Sequence, residues 1–127
     1  MPAQIATLDL NGSTPEIEII IGNAHFARFD FFLYDATGKN PRKIGEGRND
    51  DNEEFPDIFP IANPPLSGLD GHTIFWRAVV SSQLGLPGEN YSVIVRVMQG
   101  GKIAAKDPKT GLLTDIPPKG FIRLQVR

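Results

Sequence analysis

The side chains best suited to chemistry in this chain are carboxylates. Asp50, Asp51, Glu53, Glu54 and Asp57 stand close together, with Asn52 among them. Oxygen ligands at this density suit a hard cation such as calcium. The spacing is not that of an EF-hand loop, because Phe55 holds the sixth position from Asp50, where glycine belongs, and Ile61 holds the twelfth. The run therefore reads first as a solvated acidic loop, with calcium as the alternative. His25 and His72 have no third histidine and no cysteine to complete a transition-metal set. Trp76, the only tryptophan, is the residue on which a lectin-like domain would stack a sugar or small ligand. Yet it shares a strand face with Ile74, Ala78 and Val80, as a core tryptophan would.

Other chemistries lack their residues. Without cysteine there is no thiol catalysis, no zinc-thiolate site and no disulfide. No Gly-x-Ser-x-Gly elbow, phosphate-binding loop or dinucleotide fingerprint occurs. The expectation is a non-catalytic protein with no cofactor, calcium apart.

The elements that must position these residues are short and numerous. The 13 glycines and 11 prolines among 127 residues exceed average usage, while Val, Ile and Phe remain frequent. Many strands broken by turns follow, in a single all-β domain spanning the chain. Ile17, Ile19 and Ile21 alternate with Glu16 and Glu18. Ala27, Phe29, Phe31 and Leu33 alternate with Phe26, Arg28, Asp30, Phe32 and Tyr34. Tyr91 to Gln99 has the clearest period of two, with Tyr91, Val93, Val95 and Val97 inward. Asn11-Gly12 and Gly100-Gly101 read as hairpin turns, and so does Asp107-Pro108-Lys109-Thr110-Gly111. Residues 48–69 combine the acidic run with Pro56, Pro60, Pro64 and Pro65 and read as one long irregular loop. Seven to nine strands with such spacing predict an antiparallel two-sheet β-sandwich.

One segment carries a family resemblance. Leu86-Pro87-Gly88-Glu89-Asn90-Tyr91-Ser92-Val93-Ile94-Val95 resembles the tyrosine corner of immunoglobulin-like and fibronectin type III domains. The resemblance implies an immunoglobulin-like sandwich and no particular activity.

The positive functional signal is apolar. Once one face of each strand is turned inward, the other still carries Phe32, Tyr34, Phe75, Ile94 and Met98, where a monomeric sandwich would be polar. A contiguous patch of this kind marks an interface. The leading expectation is a protein-interaction or assembly module that self-associates, most simply as a homo-oligomer, or docks a protein partner through that face. The alternative is the lectin-like carbohydrate or small-ligand domain. The net charge of -2 provides no general field for nucleic acid. It is uneven, however: residues 1–95 hold 6 basic and 13 acidic side chains, and residues 96–127 hold 7 and 2. With no visible signal peptide, no apolar span of membrane length and no cysteine, the sequence points to a cytoplasmic protein without membrane association.

Overall fold

Strands rich in Ile, Val and Phe form wherever one face can be buried. The computed structural model describes residues 4–22, 25–49, 57–81 and 88–127. Its strands are β1 (Gln4–Leu8), β2 (Glu16–Ile21), β3 (Phe26–Tyr34), β4 (Arg42–Asn49), β5 (Asp57–Pro60), β6 (Thr73–Ser81), β7 (Asn90–Gln99), β8 (Lys102–Leu112) and β9 (Lys119–Val126). A five-stranded sheet, here sheet A, has the order β1-β9-β6-β3-β4, and a four-stranded sheet B has the order β5-β2-β7-β8. All pairings are antiparallel except β1 with β9. The chain is thus an all-β, two-sheet sandwich. No helix among the described residues is long and apolar enough to cross a membrane.

The core lies between the sheets. Sheet A contributes Ala6, Leu8, Phe29, Phe31, Leu33, Ile74, Trp76, Ile122 and Leu124; sheet B contributes Ile17, Ile19, Tyr91, Val93, Val95 and Val97. These sets follow the period of two in each strand.

Three local expectations are corrected. Asn11-Gly12 does not join a hairpin, although the turn exists, with the Gly12 N–H donating to the Asp9 carbonyl at 2.9 Å. It carries the chain from β1 in sheet A to β2 in sheet B. Burial of Ala6 and Leu8 beside β9 outweighs the local turn preference.

Secondly, Asp107-Pro108-Lys109-Thr110-Gly111 is no turn but the middle of β8. β8 is an edge strand pairing only with β7, so the missing N–H of Pro108 leaves no ladder bond unmade inside the sheet. Gly111 lies under the Tyr91 ring, whose Oη would stand 2.8 Å from a Cβ at that position. The Tyr91 ring thus occupies the space of the missing side chain. Leu86 and Pro87, which open the tyrosine-corner motif, lie outside the described residues. In the immunoglobulin order the last two strands are neighbours; here β8 and β9 lie in different sheets.

Thirdly, residues 48–69 are not one loop. β4 runs on to Asn49, and β5 adds an edge strand on β2 with Phe59 opposite Ile17. Pro60 ends that strand, where its ring is tolerated. Phe59 packs against Phe29 and Phe31 with ring centroids 6.1 and 5.2 Å apart, while Ile61 and Leu69 are buried. Apolar side chains in the prolyl segment therefore draw it into the core.

Candidate functional site: an aromatic and cationic sheet face

The inward side chains of β3, β6 and β9 leave every second residue on the outer face of sheet A. Register then decides which of these meet. Phe32 lies opposite Phe75, and Phe75 lies opposite Phe121. Their centroids are 6.4 and 5.0 Å apart, a ladder across three adjacent strands. Directly opposed rings are among the stronger cross-strand pairs. Phe32 and Phe75 are half-buried, and Phe121 is 47% exposed. Val79 on β6 and Ile5 on β1 are each 58% exposed on the same face.

Cations surround the rings. Lys43 Nζ lies 5.7 Å and Arg77 Cζ 5.4 Å from the Phe32 centroid, within cation–π reach. In the adjacent cross-strand row, Arg77 Nε and one terminal nitrogen donate to the two Asp30 oxygens at 2.8 and 3.1 Å. Those hydrogen bonds, and then the carboxylate's charge, raise the Arg77 pKa above its ordinary value. Glu46 lies opposite Asp30 and accepts from Lys43 at 3.1 Å. Arg28 faces Arg48 on one side and Val79 on the other, while Lys119 faces Arg77. Between them runs an open groove of about 890 Å³, bordered by Pro117 and Pro118.

The sequence-derived candidates divide among places that chain position alone does not reveal. Phe32 and Phe75 meet, and Tyr34 lies on the same face, two residues along β3 and opposite Thr73. Ile94 and Met98 do not join them: β7 belongs to sheet B, so they face the other side of the molecule. There Met98 lies opposite Glu16 and Ile103, and Ile94 opposite Ile20 and Pro108. Between these rows Glu18 accepts a hydrogen bond from Arg96, the two side chains being 10% and 25% exposed. The single patch expected from the sequence is thus two patches on opposite faces.

Trp76, the lectin-like alternative's stacking residue, is fully buried. Its Nε1–H donates to Asp107 Oδ2 at 2.9 Å, joining the two sheets through the core. Asp107 is 3% exposed and also pairs with Lys109 at 3.3 Å. Gly120 lies opposite Trp76, and a Cβ there would stand 2.1 Å from Asp107 Oδ2. Trp76 is therefore a core residue with no ring face to offer a sugar. Its indole donor, which cannot be buried cheaply without an acceptor, is satisfied from the opposite sheet.

Of the calcium candidates, Asp50, Asp51, Glu53 and Glu54 lie outside the described residues, and Asp57 opens β5, partly buried. Among the described residues no group of three or more His, Cys, Asp or Glu side chains is placed to hold a metal ion.

Two participants escape the sequence reading. Phe121 completes the ladder, and its signal was present: Phe121, Arg123 and Gln125 alternate with Ile122, Leu124 and Val126. Asp107, the carboxylate buried beneath the face, had no signal, because it stands in a string of turn-forming residues. Compared with protein-family models, with characterised proteins and with solved structures, the chain matches none.

Proposed function

We propose that this chain is a non-catalytic interaction module that docks a protein partner through the outer face of sheet A. The observation that carries this reading is the Phe32–Phe75–Phe121 ladder on interior strands of the sheet, ending in a ring that is 47% exposed. Aromatic and arginine side chains are the groups enriched at protein interfaces, and this face combines both. Two buried or largely buried polar pairs have structural roles: Trp76 with Asp107 joins the sheets, and Glu18 with Arg96 joins β2 to β7.

Charge favours a different partner over a second copy. Among the described residues, Lys43, Arg28, Arg48, Arg77, Lys119 and Arg123 outnumber Asp30 and Glu46 on this face. A two-fold contact of the face with itself would set like charges against each other.

A photo-crosslinking phenylalanine analogue at position 121 tests the reading, with Ile103 on the outer face of sheet B as control. The expected result is a discrete protein adduct from position 121 in cell extract and none from position 103. Equal capture at both positions, or none at 121, refutes the reading.

A further inference from the structure

We infer that the segment docked on sheet A is an acidic peptide stretch that carries an apolar side chain beside its carboxylates; this rests on the docking reading above. The whole chain is acidic, at net charge -2, yet among the described residues this one face gathers six cations and two carboxylates. Both carboxylates are matched within the face, Asp30 by Arg77 and Glu46 by Lys43. Arg28 and Lys119, both exposed and both lining the groove, form no ion pair among the described residues. Arg28 also stands directly opposite Arg48, so positive charge is concentrated beside the groove and attracts negative charge. A carboxylate from a partner supplies that charge, and guanidinium groups bind carboxylates in a two-pronged geometry. Beside these cations, Val79 and Phe121 offer apolar contact to a neighbouring side chain.

The same features disfavour a nucleic acid strand. Base binding on a sheet uses free ring faces. Here Phe75 lies between Phe32 and Phe121, and Phe32 already has two cations over its ring. Asp30 and Glu46, moreover, sit among the cations where a continuous phosphate chain would pass.

The test uses the full chain and three labelled probes: a short peptide of alternating Glu and Leu, its Gln–Leu counterpart, and a short oligothymidylate. Fluorescence anisotropy is followed with wild type, with R28E/K119E and with F121S, at low and high salt. Each variant is first matched to wild type in melting temperature. The expected result is binding of the Glu–Leu peptide that weakens about tenfold or more in R28E/K119E and with added salt. The Gln–Leu peptide should bind at least about tenfold more weakly than Glu–Leu to wild type.

Three results overturn the inference. If Gln–Leu binds as tightly as Glu–Leu and only F121S weakens both, the acidic chemistry is wrong while the docking face stands. If oligothymidylate binds more tightly than Glu–Leu and F121S weakens it, the occupant is nucleic acid. If no probe binds, the acidic-peptide inference fails, and the crosslinking experiment separately decides the docking face.

Discussion

The two outer faces of the sandwich carry comparable amounts of apolar side chain but arrange it differently. On sheet B the most exposed apolar residues, Ile58 and Ile103, lie on the edge strands β5 and β8. Ile20, Ile94 and Met98 on the interior strands are only partly exposed, and between them the Glu18–Arg96 pair is largely withdrawn from water. On sheet A interior strands carry exposed residues as well: Val79 and Phe121 stand open at 58% and 47%, as does Ile5 on edge strand β1 at 58%. The ion pairs of sheet A are more open, with Arg77 58% exposed against 17% for Asp30, and Lys43 and Glu46 exposed at 46% and 68%. Sheet B thus withdraws an ion pair at its centre from water, although Arg96 Nε there has no hydrogen-bond partner among the described residues. Sheet A instead turns outward a ring and two cations, Arg28 and Lys119, that form no ion pair among the described residues. An exposed apolar residue on an edge strand calls for no explanation; the same residue in mid-sheet beside cations has the composition of an interface core.

The sharpest way to break this contrast is through the ion pairs. Glu18→Ala strands Arg96 in a largely dry position and should cost about 2–4 kcal/mol, below the range for a fully buried pair because the Arg96 side chain keeps 25% exposure. Asp30→Ala removes the corresponding partner on sheet A, where water screens Arg77, and should cost much less. Urea denaturation of both variants measures the difference. Equal losses would mean that the two faces are not energetically distinct.

The ladder gives the next effect. Phe75→Ala removes two ring contacts at once and should destabilise by about 1–2 kcal/mol, whereas Phe121→Ser, at the exposed end, should cost under about 1 kcal/mol. A larger loss for Phe121 than for Phe75, read by thermal melting, would place Phe121 in the packing of the domain and weaken its assignment to docking.

The smallest effect concerns the turn between β3 and β4, which holds Lys43 in register with Phe32. Asp35 accepts from the Thr37 hydroxyl, the Lys39 N–H and the Asn40 amide. These hydrogen bonds, that from the Thr37 hydroxyl foremost, hold its carboxyl well below the ordinary aspartate value of 3.8. A depressed folded-state value contributes stability above the ordinary value and loses it as pH falls through the depressed one. Asp35→Asn should therefore lower the melting temperature slightly at neutral pH and flatten its fall below about pH 4. Parallel wild-type and variant melting curves across that window would show that Asp35 does not carry the turn's acid sensitivity.

Most of the sandwich was readable from spacing. β2, β3, β6 and β7 appear where Ile, Phe and Val recur at every second position, and the buried sets of those strands match that recurrence. The Gly100-Gly101 hairpin was equally legible, since both glycines adopt positive φ, at 59° and 78°. Two of the misreadings share one cause. Asp107 to Gly111 and Asp57 to Pro60 contain residues that disfavour strands locally, yet both segments lie on edges, where a proline or glycine meets no second neighbour. Composition cannot tell an edge from a centre.

The sequence by itself determined which side chains share a face of each strand, because alternation is a property of the extended backbone. It could therefore place Phe32 with Tyr34, and Ile94 with Met98. Only the tertiary structure decided which strands are neighbours, since pairing joins segments far apart in the chain and is selected by burial of the whole core. That choice put Phe75 and Phe121 beside Phe32, sent Ile94 and Met98 to the opposite face, and turned Trp76 from a candidate ligand platform into the hydrogen-bonded centre of the core.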